Sequence, residues 1–268
     1  MELDCVAFLQ WALPRLGRRW AGYRKVRRQV CRRVRRRAGE LGYASLAGYR
    51  DRLERDPDEW RELDALTNVT ISRFCRDRGV FAFLRSDVLP ALVEQARDMG
   101  GGVVRAWSAG CASGEEPFTL AIMWELALAP DAQLQVLATD VEPALLRRAA
   151  QGRYPPSALR ELPDGWRDAA FTRDGDELVL APRFRRDVTL ARRDIRDDPP
   201  DGPFDLVLCR YLAFTYFDDA GQRATVRRLA GVTRPGAALV LGTHEDLPDG
   251  EPGFEPWAPQ LRVFRRAG

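Results

Sequence analysis

The stretch that decides the fold is Val103 to Leu120, VVRAWSAGCASGEEPFTL. Apolar residues lead into Trp107, only small residues follow as far as Gly114, and two glutamates and Pro117 precede an apolar helical run. This order predicts a β-strand, a tight glycine turn and the start of a helix, because a helix tolerates proline in its first turn. A turn without side-chain bulk lets a ligand approach the backbone closely.

The same turn argues against two common ligand classes. It lacks the G-x-G-x-x-G of a dinucleotide site and the G-K-[ST] of a phosphate loop. It also places Glu115 and Glu116 where a phosphate would need positive charge. A neutral or cationic nucleoside fits better, and S-adenosylmethionine is the common one. The alternative interpretation of the small residues is a close packing contact between the helix and the strand.

The composition is that of an ordinary globular protein. The 268 residues are 45% hydrophobic and 30% charged, and no apolar run approaches the ~20 residues that span a bilayer. The N-terminal MELDCVAFLQ lacks the basic start and long apolar core of a signal peptide. The five cysteines are scattered, odd in number and without metal-ligand spacing. We therefore predict reduced thiols, no metal site, no membrane insertion and a cytoplasmic location.

Residues 1–75 predict an N-terminal helical domain, in which Ser45 and Asp56 are candidate helix caps. Its segment Tyr23 to Leu41, YRKVRRQVCRRVRRRAGEL, has apolar residues at every fourth position, so one stripe should pack inward. Basic residues cover the rest, although the net charge of the chain is only +3. A run of one sign favours an acidic partner over a merely solvated face. Aromatic residues are not interleaved and no nucleic-acid motif is present, so nucleic acid is not the predicted partner.

A change of pattern follows the N-terminal domain. Residues 76–102 predict a linker helix, bent or restarted at Pro90. From 103 to 268, short apolar β-type runs alternate with helices, which indicates βαβ units and a parallel sheet.

Acidic residues end two of the predicted strands. Asp140 ends the second strand, and Asp194 follows a later one. In α/β folds the ligand lies at the carboxyl ends of the strands, where an acidic residue can bind the ribose hydroxyls. The alternative is that Asp140 only caps the helix that begins near Glu142.

Four segments of the chain resemble the chemotaxis receptor glutamate methyltransferase (CheR) family, and the likeness runs from about residue 20 to the C-terminus. They are SRFCRD, WSAGCASGEEP, ATDVEPALLRRAAQGRY, and FDLVLCRYLAFTYFD with RPGAALVLGTHE. The resemblance implies an α/β fold: a class I, Rossmann-like methyltransferase domain with a seven-stranded mixed sheet. It also implies the preceding all-helical domain and a small β-subdomain, which residues 168–190 would form.

The resemblance further implies the reaction. The chain would use S-adenosyl-L-methionine, leave S-adenosyl-L-homocysteine, and O-methylate glutamate carboxylates of an acidic helical, chemoreceptor-like protein. Helix 23–41 would face that protein. A methyltransferase of the same scaffold that acts on a small molecule is the alternative. The sequence does not indicate an oligomeric state.

Family positions carry over residue by residue. The implied cofactor contacts are Thr70, Ser72, Arg76, Gly110, Glu116, Asp140, Asp194, Ile195, Arg210 and Tyr211. The implied catalytic residues are Arg76, Arg210 and Tyr216, with Arg76 pairing with the carboxylate of the cofactor. Tyr216 could hydrogen-bond the reacting carboxylate or simply pack.

Three departures from the family pattern cluster around the expected acceptor pocket. Tyr211 stands where the family usually has asparagine, and GTHE, which contains His244, replaces GHSE. The segment after Tyr211 is one residue longer, so Thr215 or Tyr216 replaces the usual tyrosine. A carboxylate is already ionised at neutral pH and needs no general base, so a structural role is favoured for His244.

Overall fold

The computed structural model describes residues 2–128 and 131–268. Two units divide the chain, and the N-terminal one ends close to the boundary predicted at residue 75. The first consists of Met1–Thr70 and Thr215–Gln222, and the second of Ile71–Phe214 and Arg223–Gly268. Thr215–Gln222 belongs with the N-terminal helices because the Arg19 N–H donates to the Tyr216 carbonyl at 2.9 Å.

The N-terminal part of the first unit is helical, as predicted. Its helices are α1 (Glu2–Ala12), α2 (Trp20–Tyr23), α3 (Arg27–Glu40), α4 (Leu46–Arg55) and α5 (Pro57–Thr67). The Ser45 hydroxyl accepts the Gly48 N–H at 3.3 Å, and the Asp56 carboxylate accepts the Asp58 N–H at 3.0 Å. Both predicted caps are therefore confirmed.

The basic run forms α3, which begins at Arg27 and not at Tyr23. Val30, Val34 and Ala38 are buried along one stripe, as their spacing predicts. Exposed arginines cover the opposite side, among them Arg28, Arg32, Arg35 and Arg36.

Arg33 and Arg37 of α3 are bound within the first unit. Arg37 donates to both oxygens of Glu59, at 3.0 and 2.9 Å. The bonds from Arg37 lower the pKa of the buried Glu59 carboxyl below its ordinary value. Arg33 donates to the Asn68 carbonyl. The charge of Arg37 is therefore compensated inside the fold.

A disulfide corrects the prediction that all five cysteines are reduced. Cys5 on α1 and Cys31 on α3 are joined, with their Cα atoms 6.0 Å apart. The helical packing brings these residues within the distance that a disulfide needs. Cys75, Cys111 and Cys209 are free and buried, as thiols should be in a reduced core.

A seven-stranded mixed sheet forms the centre of the second unit, in the order β6-β2-β1-β7-β8-β10-β9. β1 pairs with β2 in parallel, from Val103 opposite Gln133 to Ala109 opposite Thr139. β10 is antiparallel to β8 and β9. The strands are β1 (Val103–Ala109), β2 (Gln133–Asp140), β6 (Val188–Arg192), β7 (Phe204–Leu208), β8 (Thr233–Val240), β9 (Phe254–Ala258) and β10 (Val263–Arg266).

The helices of the second unit follow the predicted alternation. They are α6 (Arg78–Phe83), α7 (Leu89–Asp98), α8 (Glu115–Met123), α9 (Pro143–Gln151), α10 (Asp164–Ala170), α11 (Ala213–Tyr216, whose last residues belong to the first unit) and α12 (Asp219–Val232, which begins there). A π-helical turn, Leu84–Val88, separates α6 from α7. Pro90 lies in the first turn of α7, directly after this π-helical turn, so the irregularity predicted for the linker helix is a change of helix type.

A three-stranded antiparallel sheet, in the order β3-β5-β4, forms the small β-subdomain. Its strands are β3 (Arg153–Tyr154), β4 (Phe171–Asp174) and β5 (Glu177–Leu180). The subdomain therefore begins before residue 168, because β3 contributes a strand. It ends before residue 188, because β6 pairs with β2 in the main sheet.

Apolar side chains from the linker helix, the main sheet and the small sheet form one core in the second unit. Phe74, Leu84, Phe118, Val136 and Leu206 are among its buried members. Along residues 2–128 and 131–268, no helix is both long and apolar enough to cross a membrane.

Candidate functional site

The glycine turn connects β1 to α8 at the carboxyl edge of the sheet. The N–H groups of Gly110 and Cys111 both donate to the Thr139 carbonyl, at 2.8 and 2.9 Å, which fastens the turn to the end of β2. Gly114 has a φ of +89°, and a Cβ there would lie 2.5 Å from the Phe118 ring. The small residues thus serve the close helix contact as well as leaving the backbone bare.

Asp140 bridges the glycine turn and the start of α9. Its carboxylate accepts the Ala112 N–H and the Glu142 N–H, each at 2.9 Å. Burial raises the pKa of the Asp140 carboxyl, and these backbone bonds oppose the rise. The capping role considered from the sequence is therefore present. A carboxylate has about four acceptor positions, so capacity remains for ribose hydroxyls.

The predicted ribose role of Asp140 can be tested by Asp140→Asn. This change keeps one acceptor oxygen and places an NH₂ group where the second oxygen stands. Calorimetric titration with S-adenosylhomocysteine should show affinity weakened about tenfold, or about 1.4 kcal/mol. Unchanged affinity in the folded variant would leave Asp140 with the turn and the helix start as its only role.

Arg210 lies at the centre of a buried ionic cluster. Its side chain is 3% exposed, and its Nη1 donates to Glu116 Oε2 at 3.0 Å. Its Nη2 donates to Asp77 Oδ2 and to the Arg76 carbonyl, each at 2.7 Å. Ser108 donates to the other oxygen of Glu116 at 2.7 Å. The cluster joins the end of β7, the start of α8 and the segment before α6.

Glu115 adds a second carboxyl at the start of α8. Burial raises the pKa of the Glu115 carboxyl, while its backbone and Ser72 bonds lower it. Among the described residues, five buried side-chain atoms have no hydrogen-bond partner, and two of them, Glu115 Oε2 and Arg210 Nε, belong to this site. Unsatisfied buried polar atoms are rare in proteins and are consistent with a ligand that completes them.

The Arg76 guanidinium lies over the Tyr211 ring, so two predicted cofactor residues are brought together. The Arg76 Cζ atom lies 3.7 Å from the centroid of the Tyr211 ring. Arg76 also donates to the Ile71 carbonyl. The Tyr211 hydroxyl bonds Asp77 at 2.6 Å and Thr243 at 2.9 Å.

Asp194 and Ile195 are the residues that the family resemblance implies at the adenine of the cofactor, and Asp194 has a partner within the chain. Both oxygens of Asp194 accept hydrogen bonds from Arg196, with Nη2 to Oδ2 at 2.7 Å. Ile195 beside it is buried. A bond from an adenine amino group to Asp194 would therefore share that carboxylate with Arg196.

Three further residues of interest are outside this set of contacts. Thr70 and Tyr216 belong to the first unit, where the Tyr216 ring packs 5.0 Å from that of Tyr23. The packing alternative for Tyr216 is thus present, and its catalytic role stays a prediction. His244 is exposed.

Sequence reasoning missed Asp77 and Glu245 as parts of the site. Asp77 binds both Arg210 and Tyr211, and its φ of +65° is uncommon outside glycine. Glu245 accepts the Tyr211 N–H at 2.7 Å and the Gly242 N–H at 2.8 Å. The sequence did contain a signal, because Asp77 ends the family-like motif SRFCRD and Glu245 ends GTHE.

The chain matches both domains of one family. The description "CheR methyltransferase, SAM binding domain" fits residues 70–260, and "CheR methyltransferase, all-alpha domain" fits residues 25–67. The cofactor is accordingly S-adenosylmethionine, which the glycine turn and the absence of a phosphate motif also favour.

The chain is similar to several known proteins. A chemotaxis protein methyltransferase of Listeria monocytogenes is 32% identical over 92% of this chain and 91% of its own length. A probable chemotaxis protein methyltransferase of Rhizobium etli is 33% identical over 71% of this chain and 72% of its own. The crystal structure of the N-methyltransferase NodS from Bradyrhizobium japonicum, in complex with S-adenosyl-L-homocysteine, is 16% identical with a TM-score of 0.40, covering 71% of this chain and 86% of its own. The chain belongs to the CheR methyltransferase family and is an S-adenosylmethionine-dependent methyltransferase.

Proposed function

We propose that the protein O-methylates glutamate carboxylates of an acidic helical, chemoreceptor-like protein in the cytoplasm. The observation that carries the proposal is the exposed arginine face of α3, whose apolar stripe is buried on the other side. Arginine side chains form strong charge-assisted hydrogen bonds with carboxylates, so this face suits a helix that carries several glutamates. The similarity to the chemotaxis protein methyltransferases supports the same acceptor class.

The residues of the second unit suit a cationic cofactor. Carboxylates of Glu116, Asp77 and Asp140 lie near the glycine turn and the end of β7, and the buried cation among them is Arg210. Electrostatic attraction favours a positively charged ligand beside an excess of carboxylates. Arg76 would bind the carboxylate at the amino-acid end of the cofactor, and Asp140 the ribose.

The chemical step needs no general base from the protein. S-adenosylmethionine supplies a methyl group that is already activated on a sulfonium sulfur. An acceptor carboxylate is ionised at neutral pH, so no proton has to be removed before it attacks. The protein therefore has to orient the acceptor and exclude water, which agrees with a chain whose one histidine is exposed.

The nature of the methylated atom tests the proposal. After incubation with tritiated S-adenosylmethionine and cell extract, label should appear on protein and should leave as volatile methanol in mild alkali. A carboxylate nucleophile makes a methyl ester, which alkali hydrolyses, whereas methylated amines and carbon atoms are stable. His244→Ala should keep most of the activity.

Two results would contradict the glutamate acceptor. Alkali-stable label together with lost activity in His244→Ala would indicate an acceptor that needs a base. Label confined to small molecules would favour the alternative, a methyltransferase whose altered pocket around Tyr211 and Thr243 takes a small acceptor.

A further inference from the structure

Tyr211 has a backbone conformation that tyrosine rarely adopts. Its φ is +55°, in the left-handed region that asparagine tolerates better than a bulky residue does. Cys75, Asp77, Ala112 and Arg262 share this feature; the first three lie in the segment before α6 or in the glycine turn, and Arg262 lies directly before β10. Such strain persists where surrounding contacts determine the conformation, and it concentrates at functional sites.

The contacts that hold Tyr211 come from three directions. Its N–H donates to Glu245 Oε2 at 2.7 Å. Its hydroxyl has one proton, which goes to the Asp77 carboxylate at 2.6 Å, so the Thr243 hydroxyl at 2.9 Å acts as the donor in its bond. A Cβ on Gly242 would lie 2.7 Å from the Tyr211 ring, so only glycine there leaves room for the ring.

The ring fixed in this way is the surface on which Arg76 rests. The Arg76 Cζ atom lies over the ring, 3.7 Å from its centroid, and Arg76 also donates to the Ile71 carbonyl. A cation over an aromatic face is attracted by the electron density of the ring, and the planar guanidinium stacks well. The N–H groups of a guanidinium lie in its own plane, so a carboxylate can meet them at its edge.

We propose that Tyr211 is a positioning residue, which holds the Arg76 guanidinium ready for the carboxylate of S-adenosylmethionine. The inference rests on the proposed role of Arg76 and adds the reason why tyrosine replaces the usual asparagine. An asparagine side chain could satisfy the backbone conformation, but it offers no aromatic face to a guanidinium. The support that the ring gives to Arg76 is thus the physical reason for a tyrosine in this strained conformation.

The experiment compares two ligands that differ at the amino-acid end. S-adenosylhomocysteine carries the carboxylate, and 5′-methylthioadenosine lacks the amino-acid end altogether. Calorimetric titration of Tyr211→Asn should show the affinity for S-adenosylhomocysteine falling about tenfold and that for methylthioadenosine unchanged. Asparagine suits a positive φ, so the variant should fold. Arg76→Gln should show the same selective loss.

The ratio of the two affinities within each variant separates positioning from general damage, since damage to the fold weakens both ligands. Tyr211→Phe keeps the ring over Arg76 and should lose no more than about threefold. Arg265→Gln is the matched control, because Arg265 stacks on Trp257 at 3.8 Å on the β9–β10 pair. It should leave both affinities unchanged.

Each contrary result has a distinct meaning. An equal loss for both ligands in Tyr211→Asn, or no loss, overturns the proposal. So does a phenylalanine variant that binds as weakly as the asparagine variant, because the ring would then not be the cause. If Arg76→Gln weakens both ligands equally or neither, the role of Arg76 fails and the proposal with it. No acceptor is present in these titrations, so failure here is distinguishable from failure of the proposed protein methylation.

Discussion

Replacing Arg210 with methionine should lower the free energy of unfolding by about 3–5 kcal/mol, as when one partner of a buried ion pair is removed. The Arg210 side chain is 3% exposed and donates to Glu116 at 3.0 Å and to Asp77 at 2.7 Å. Methionine occupies similar space but leaves both carboxylates without their cation. Ser108 and Tyr211 would still donate to them, which compensates only in part. Urea unfolding measures the loss.

The same variant should lose affinity for S-adenosylhomocysteine, because Arg210 donates to the Arg76 carbonyl at 2.7 Å and so fixes the backbone from which the Arg76 side chain extends. Arg234→Met is the matched control. Arg234 donates to the buried Asp205 at 2.8 Å near the opposite end of β7, and its own side chain is 29% exposed. Arg234→Met should lower the free energy of unfolding less than Arg210→Met does. It should leave the affinity of the folded protein for S-adenosylhomocysteine unchanged. If Arg210→Met unfolds at the wild-type urea concentration, the cluster does not stabilise the fold.

Local patterns in the sequence predicted the elements around the glycine turn. The run Val103–Ala109 became β1, and Asp140 ended β2, because apolar periodicity and turn residues act over a few positions. The role of Asp77 was not predicted, because it depends on Arg210, which lies 133 positions later in the chain. No local pattern shows which distant charges will be buried together.

The other differences between the predicted and the observed structure also arise from features that a local sequence pattern does not show. α3 begins later than its periodicity predicts, because Tyr23 ends a separate short helix, α2, and a turn precedes Arg27. The disulfide joins cysteines 26 positions apart that no spacing rule pairs. β3 has only two residues, too few to leave a pattern in the sequence. Similarly, the sequence of a short strand such as β6 does not indicate which sheet the strand joins.

The charge of α3 gives the prediction with the largest effect on activity. Changing Arg28, Arg32 and Arg36 together to glutamate should reduce protein-bound label by about tenfold or more at low salt, because charge reversal removes the attraction to an acidic partner. These three side chains are exposed and spaced four residues apart, so they lie on one face. Arg33 and Arg37 are left unchanged because the first unit uses them, through the Asn68 carbonyl and Glu59.

The Arg36–Glu40 pair, at 3.5 Å, costs little to remove, since Arg36 is 71% exposed. A matched control reverses Arg50, Arg55 and Arg61, which are exposed on α4 and α5 and give the same change in net charge. The control should keep its activity, and both triple variants should bind S-adenosylhomocysteine as the wild type does.

Salt should imitate the reversal in the wild type. Exposed charges are screened over ~10 Å at about 0.1 M salt, so raising the salt tenfold should depress protein methylation by the wild type and change the reversed variant little. A small-molecule acceptor would not engage a helix face of this length. If protein labelling by the wild type ignores salt and the reversed variant keeps its rate, the arginines form a solvated face. The acceptor must then be recognised elsewhere, and the altered residues Tyr211 and Thr243 become the place to look for it.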